Sequence, residues 1–469
     1  MKKFSIVYIA MIFIFFSCDK YLDINDNPNG AISPPIAGLL SNVTYNSAIN
    51  VYRVGYTTSY FVQYNASPNS GGSSDTHQRI NTDGIWTNIY NISGDISDLI
   101  KFGKEQESNH YVGIGKILMA LNMGMVVDLY GDVPYSQAFN FETITPQYDK
   151  DVDMYDRIIS LLNEGINDLE RDNEGVALKS SNDFIHRGNV RAWIKTAYAL
   201  KARYLNHLSK TDKDDVSAIL DAVNQSYASN SDDAQLTTFK TRNPWNQVAL
   251  NNDNLELDGW LSSNIINAMN GETYGVFDPR LPHITRPLPD GSFVGTPNGA
   301  GRKGSGSIQE ETYLTQDGYY SSINSPLTII TYSELKFIEA EAYLRAGNDN
   351  EAYIAYLEGI RANMEKIGVD DSEINDYVNN PAIAVGQSNI TNKLIFKEKY
   401  VAMFLNPESW VDVRRNDYNY DGFIIPNGLN SDLGGKFSRR FDYPDTEQQR
   451  NSDNLPSLTL LDRIFWDVP

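Results

Sequence analysis

The chain has 469 residues, of which 41% are hydrophobic and 12% aromatic, as in ordered globular proteins and unlike disordered ones. Its formal net charge of −21 argues against nucleic-acid binding and against polybasic contact with a membrane. The single cysteine excludes an internal disulfide framework. A chain of this length can bury a large core.

The first 17 residues have the layout of a secretory signal. Lys2 and Lys3 precede an apolar stretch that is too short to span a membrane, since a spanning helix needs about 20 apolar residues. Cys18 follows directly, as in bacterial lipoprotein signals. We therefore expect residues 1–17 to be removed and Cys18 to carry a lipid anchor. Phe15 stands where leucine is usual, so a plain signal peptide with an incidental cysteine is the alternative.

Apolar residues recur at helical spacing along most of the chain, which predicts a mostly helical, all-α protein. One or two helices are expected within residues 36–64, several within residues 85–229, and another over residues 390–404. Trp86 and Trp193 lie inside apolar stripes of two of these helices, so we interpret both as core residues.

Residues 331–364 predict two helices of nearly equal length joined by a tight turn. Thr331 and Glu334 have the spacing of a capping box, in which each side chain binds a backbone N–H of the other residue. Small and aromatic residues then alternate as in a tetratricopeptide repeat, at Ala340, Tyr343, Gly347, Ala352, Tyr356 and Gly359. An ordinary helical hairpin is the alternative. We expect repeat-like helix pairs mainly within residues 85–229 and 331–405.

Residues 235–330 have a different character, because glycine, proline and asparagine interrupt every apolar run there. Aromatic residues nonetheless persist, and a loop-rich region that keeps them is a candidate binding surface. The candidate ligand contacts are Tyr274, Tyr319, Tyr320 and Trp245, together with Tyr64 in an earlier loop. The alternative for each is that its ring pins a loop to the helical core.

No arrangement of residues points to an enzyme. The five histidines lack paired metal-ligand spacing, and there is no nucleophile elbow, phosphate loop or dinucleotide fingerprint. No cofactor is expected. Asp417, Asn419 and Asp421 match the first half of a calcium loop, but Gly428 replaces the bidentate glutamate. A turn rich in Asp and Asn is therefore the preferred interpretation of that segment.

Five phrases, taken in order along the chain, resemble the SusD/RagB family of outer-membrane lipoproteins. They occupy residues 18–23, 128–138, 278–281, 334–347 and 410–415. The resemblance implies one domain over residues 18–469, built on four tetratricopeptide-like helix pairs with a loop-rich, short-helix region packed against them. It also implies a lipid-anchored protein on the outer face of the outer membrane. Such a protein caps a SusC-like, TonB-dependent transporter and delivers captured nutrient, usually a glycan.

Oligosaccharide binding without catalysis is the function that these observations favour. Aromatic rings cover the apolar face of a sugar, and Asn, Asp, Gln and Arg side chains bind its hydroxyls. Ligand contacts vary widely within the resembled family, so no site residue is carried over from it. Two alternatives stay open: a secreted glycoside hydrolase on a helical scaffold, and a peptide-binding member of the same family.

Overall fold

The computed structural model describes residues 35–140, 142–254, 258–304 and 309–469. The predicted signal segment, residues 1–17, and the predicted anchor Cys18 lie outside the described residues. The helices are α1 (Ile36–Phe61), α2 (Asp83–Glu105), α3 (Asn109–Tyr130), α4 (Asp151–Glu170), α5 (Val190–His207), α6 (Val216–Asn224), α7 (Pro244–Asp253), α8 (Ser263–Met269), α9 (Leu281–Ile284), α10 (Tyr332–Arg345), α11 (Asp349–Ile367), α12 (Asp371–Val378), α13 (Asn392–Ala402), α14 (Glu408–Arg415) and α15 (Asp445–Arg450).

Strands are few and short in the described part of the chain: β1 (Asn65–Ala66), β2 (Ala234–Leu236), β3 (Trp260–Leu261) and β4 (Leu327–Ile330). They form two antiparallel pairs, β1 with β3 and β2 with β4. The predicted all-α class is confirmed, and the strand pairs serve to attach loops to the helices.

Helices that follow one another in the sequence also pack against one another, from α1 through α6 and again in the pair of α10 and α11. The predicted hairpin is thus confirmed. Its two helices meet closely, because Gly359 lies against the Phe337 ring and a Cβ there would approach that ring to 3.0 Å. Helix α10 also packs on α5, α6 and α13, which joins the two helical regions of the chain.

Helix α3 lies at the centre of the first helical region. By length and composition it is the one described helix that could span a membrane. However, 94% of its 18-residue apolar stretch is buried inside the protein. Its approach to α4 requires glycine, since a Cβ at Gly113 would lie 2.8 Å from the backbone oxygen of Gly165. Burial on all sides identifies α3 as a core helix.

Of the one or two helices expected within residues 36–64, the structure has one continuous helix over residues 36–61. Two other features were not expected from the sequence. Helix α7 was not expected, because its polar asparagines hide the apolar spacing; Asn243 caps it by accepting from the backbone N–H of Trp245 at 2.7 Å. After α14 the chain is mostly irregular apart from the short α15, yet it inserts Phe441 and Trp466 into the core.

The predicted capping box is only half present. The Thr331 hydroxyl accepts from the backbone N–H of Glu334 at 3.1 Å, as expected. The Glu334 carboxylate instead accepts from Arg203 on α5, from Nε at 2.6 Å and from Nη2 at 2.7 Å. Both ions are buried, and a guanidinium that binds both carboxylate oxygens is a stronger partner than one backbone N–H. This part of the prediction is therefore wrong.

Substitutions that remove the ion pair and the helix cap are expected to lower stability by different amounts. Glu334→Gln removes the carboxylate that accepts from two guanidinium nitrogens and leaves the buried Arg203 only the more distant carboxylate of Glu408, at 3.7 Å. We therefore expect a loss of about 3 kcal/mol in the free energy of unfolding. Thr331→Ala removes only the cap and is expected to cost about 1 kcal/mol. Urea unfolding of both variants measures the difference. Equal losses would contradict the assignment of Glu334 to Arg203.

Candidate functional site

One of the phrases that carry the family resemblance has a structural role. Arg280, from the phrase at residues 278–281, is fully buried. Its Nη2 donates to Asp278 and to Glu398 on α13, each at 2.6 Å. Tyr377 also donates to Glu398, at 2.9 Å. These buried side chains anchor the loop region to the helices and offer no surface to a ligand.

A cleft of about 440 Å³ lies where three distant parts of the chain meet. We call it the loop cleft; it is lined by Gln63, Ser263, Pro297, Asn298 and residues 424–428. Gln63 follows the end of α1, and Ser263 begins α8. The other lining residues come from irregular segments. The cleft therefore joins the predicted loop-rich region to the segment near Tyr64 and to the turn after α14.

Hydrogen bonds hold the three walls of the loop cleft together. Gln63 Nε2 donates to the backbone oxygen of Ile424 at 2.6 Å. The backbone N–H of Asn427 donates to the backbone oxygen of Asn298 at 3.1 Å. Asn298 Nδ2 in turn donates to the backbone oxygen of Asn65 at 2.9 Å. The walls are thus fixed to the ends of α1 and of β1.

Asp75 stabilises the loops behind the cleft. Its carboxylate accepts from the backbone N–H groups of Ser67 at 2.9 Å and Gly299 at 2.8 Å, and from Asn298 Nδ2 at 2.9 Å. Burial raises the pKa of Asp75 to about 6, although these hydrogen bonds oppose the rise. One carboxylate thereby orders two loops that are far apart in the sequence.

His77 is the second buried polar group behind the cleft. Its ring packs against Phe61 and Phe437, with centroids 4.6 and 5.4 Å away. Its Nδ1 accepts from the backbone N–H of Ser438 at 3.2 Å, so the neutral ring carries its proton on Nε2. Burial lowers the pKa of His77 to about 3. The imidazole is therefore neutral at physiological pH.

The mouth of the loop cleft combines apolar and polar groups. Ile424 and Ile425 are 65% and 53% exposed, which is unusual for aliphatic side chains. The Asn427 side chain is exposed beside them, and the Ser263 hydroxyl is half-buried. A sugar ring presents an apolar face and a rim of hydroxyls, so this lining suits a saccharide.

Comparison with known proteins identifies the family. The family described as "Starch-binding associating with outer membrane" matches residues 28–444. The chain belongs to this SusD-like family. A comparison with curated protein sequences finds no match.

Solved SusD-like structures have the same fold. A SusD/RagB family protein from Bacteroides thetaiotaomicron is 22% identical, with a TM-score of 0.74 over 90% of this chain and 95% of its own. A SusD homologue from Bacteroides uniformis is 22% identical, with a TM-score of 0.72 over 92% and 99%. A chitin-binding SusD homologue from Flavobacterium johnsoniae is 18% identical, with a TM-score of 0.75 over 92% and 98%. At these identities the likeness concerns the fold alone.

Among the predicted ligand contacts of this SusD-like chain, Tyr274 is hydrogen-bonded to the segment that leads into cleft residues 424–428. Its hydroxyl donates to the backbone oxygen of Asp421 at 3.3 Å, three residues before Ile424. Lys397 Nζ lies 4.3 Å from the ring centroid, so one face of the half-buried ring is already occupied. Phe277 is 48% exposed and was not predicted, although it lies three residues after Tyr274. Tyr274 stays a candidate.

Three other predicted contacts are core residues, and their assignment is corrected. Tyr64 is fully buried, and its hydroxyl donates to Ser409 Oγ at 2.8 Å. Trp245 is buried on α7 against the Tyr52 ring, with centroids 5.0 Å apart. Tyr320 is buried against the Phe404 ring, with centroids 5.3 Å apart. Their apolar area stabilises loops only when it is removed from water, which leaves no ring face for a ligand.

Tyr319 is intermediate between a core residue and an exposed ligand contact. It is half-buried and packs edge-on against Tyr320, with ring centroids 5.1 Å apart. Its backbone N–H donates to the backbone oxygen of His283 at 2.7 Å. The ring therefore helps to attach its loop to the core, while its exposed part keeps it a predicted ligand contact.

The calcium interpretation gains no support from the geometry. The Asp417 carboxylate is paired with Arg439 and, at 2.8 Å, with Arg463. Asp421 is paired with Lys393 at 2.6 Å. Asn419 is exposed between them. Over residues 35–140, 142–254, 258–304 and 309–469, no group of three or more His, Cys, Asp or Glu side chains is placed to hold a metal ion.

The neutral, buried His77 predicts how stability depends on pH. Below about pH 6.5 the unfolded chain takes up a proton at this residue that the folded chain does not, so stability falls as pH falls. From about pH 6.5 to about pH 5 we expect His77 to contribute a loss of about 2 kcal/mol.

His77→Gln can still accept from Ser438 but cannot become charged. Urea unfolding of the wild type and of this variant over this pH range gives the free energy of unfolding as a function of pH. The difference between the two slopes measures the contribution of His77. Identical slopes would mean that His77 is accessible to protons in the folded chain.

Proposed function

We propose that this chain is a non-catalytic saccharide-binding protein that captures an oligosaccharide in the loop cleft. The observation that carries the proposal is the lining of the cleft, where exposed Ile424 and Ile425 stand beside the Asn427 amide. The family description names starch binding, and one structural relative is described as chitin-binding. Both descriptions favour a glycan over a peptide.

The cleft favours a neutral oligosaccharide. Its described lining residues carry no charge, although the chain as a whole is strongly acidic. An uncharged lining neither attracts nor repels by net charge, and amide and hydroxyl groups then supply the polar contacts. Starch and chitin fragments are neutral chains of this kind.

The lining also favours binding over hydrolysis. Glycoside hydrolases generally need two carboxyl groups about 5–9.5 Å apart on either side of the scissile bond. The described lining of the loop cleft includes no carboxylate. The Asp75 carboxylate, which links the loops behind the cleft, is buried and accepts three hydrogen bonds from them. The hydrolase alternative therefore lacks a catalytic pair at this site.

Delivery to a membrane transporter completes the proposal. Lipidation at Cys18 would hold the protein on the outer face of the outer membrane, where it would hand its oligosaccharide to a SusC-like, TonB-dependent transporter. Support comes from the signal-like sequence of residues 1–17 and from the outer-membrane association in the family description.

We expect the Cys18→Ala variant to be absent from the membrane fraction, because it lacks the lipid anchor and an acyl chain contributes about 0.8 kcal/mol per buried CH₂. Retention of the variant in that fraction, or wild-type protein that never co-purifies with a TonB-dependent barrel, would contradict this step.

The binding proposal predicts selective losses of affinity. Maltohexaose and chitohexaose are titrated into the protein in a calorimeter, and the recovered sugars are examined for new reducing ends. We expect at least one to bind and neither to be cleaved. Ile425→Ala and Asn427→Ala should each weaken binding about tenfold, a loss of about 1.4 kcal/mol.

Ile354→Ala is the matched control, because Ile354 is 59% exposed on α11 and does not line the cleft. Its affinity should equal that of the wild type. Unchanged affinity in both cleft variants would place binding elsewhere. New reducing ends that disappear on mutation of one carboxylate would favour the hydrolase.

A further inference from the structure

A second pocket, of about 350 Å³, lies beside the first half of α1. We call it the Tyr45 pocket; it is lined by Ser41, Asn42, Tyr45, Asn46, Phe184, Thr238, Phe239 and Lys240. It shares no lining residue with the loop cleft. Its volume falls in the range of about 300–1,000 Å³ that is usual for small-molecule sites.

Three half-exposed aromatic rings line this pocket. Tyr45 and Phe184 meet edge to face, with centroids 5.9 Å apart and an interplanar angle of 76°. Phe239 is half-buried beside them. Each ring is packed against the core on one side, so its position is set by the fold. Rings held in this way can stack on the apolar face of a ligand at little cost in side-chain entropy.

Hydrogen bonds tie together the three segments that carry these rings. The backbone N–H of Phe184 donates to Thr44 Oγ1 on α1 at 3.3 Å. Arg187 Nη2 donates to Thr238 Oγ1 at 2.9 Å. Lys240 is fixed to Tyr45, since its backbone N–H donates to the Tyr45 hydroxyl at 3.4 Å and its Nζ lies 5.5 Å from the ring centroid. The pocket is therefore formed before any ligand arrives.

The polar side of the pocket is also oriented. Asn42 Nδ2 donates to Asp95 Oδ2 at 2.7 Å, and Asn46 Nδ2 donates to Asn42 Oδ1 at 2.7 Å. This chain of bonds fixes both amide groups. Among the described residues, none donates to the Asn46 amide oxygen. That oxygen is an acceptor available to a ligand hydroxyl.

We propose that the Tyr45 pocket binds one pyranose ring of an oligosaccharide and is a second saccharide site, separate from the loop cleft. Only the saccharide class of the ligand rests on the proposed function, whereas the pocket follows from the residues that line it. Rings for the sugar face, a fixed amide and neighbouring hydroxyls are the groups that a pyranose requires. A phosphorylated ligand is disfavoured, because Lys240 is the one cation in the described lining and Asp95 lies next to Asn42. A long glycan that reaches both sites would gain affinity through its higher effective concentration.

Short ligands test the proposal, because one trisaccharide is too short to bridge two separate sites. Chitotriose and maltotriose are titrated into the mature protein by calorimetry, with thermal melts for each variant. We expect two binding events per chain for the sugar that binds. Tyr45→Ala and Phe239→Ala should weaken one of them at least tenfold. Asn46→Ala, which removes no ring from the core, should do the same by a smaller factor.

Matched variants separate this proposal from the proposed function. Tyr343→Ala, at a half-exposed tyrosine of α10, should leave both events unchanged. Asn427→Ala should weaken only the loop-cleft event. A single event that only cleft variants remove would overturn the Tyr45 pocket and leave the proposed function intact. A single event that only Tyr45-pocket variants remove would overturn the loop cleft instead. Binding of neither sugar would overturn both for these glycans.

Discussion

The ion pair between Arg203 on α5 and Glu334 on α10 joins the two helical regions of this protein. The same helix face continues with Glu341, which accepts from Lys399 on α13 at 2.9 Å and from Arg415 on α14 at 3.0 Å. All of these side chains are buried. Buried ion pairs add little stability compared with apolar packing, but an unpaired buried charge is very costly. The network therefore penalises any other register of the helices, and this is how helix pairs that are distant in sequence form one rigid frame.

The frame determines where the loops can lie. Helix α1 ends beside Gln63, whose amide holds Ile424, and Asp75 and Asn298 then link the following loop to the segment around residue 299. Arg280 secures the far side of the loop region to α13 through Glu398. The frame thereby positions the two sites that we propose for ligands, the loop cleft with exposed aliphatic groups and the Tyr45 pocket beside α1 with aromatic groups. Buried and part-buried hydrogen bonds support the loop cleft, whereas the hydrogen bonds around the Tyr45 pocket are part-buried or exposed.

Local patterns in the sequence predict much of this fold and little of the site. Apolar spacing predicts the long helices, and the position of Thr331 predicts the start of α10, because these effects act within a few residues. The partner of Glu334 could not be predicted, since Arg203 lies 131 residues earlier. The same limit applies to the cleft, where Gln63 and Ile424 are 361 residues apart. Tyr64, Trp245 and Tyr320 were assigned to a surface because irregular sequence surrounds them, yet loops that pack on a core bury their aromatic residues. Exposed Ile424 carried no signal, because aliphatic residues are ordinarily buried.

The central claim is that the loop cleft holds an oligosaccharide without cleaving it. A crystal structure of the mature protein with bound chitohexaose or maltohexaose, whichever calorimetry shows to bind, tests this most directly. The account predicts an unbroken glycan whose ring face lies on Ile424 and Ile425 and whose hydroxyls bind Asn427. A glycan bound only at a site remote from these residues, or a cleaved product held between two carboxylates, would contradict it.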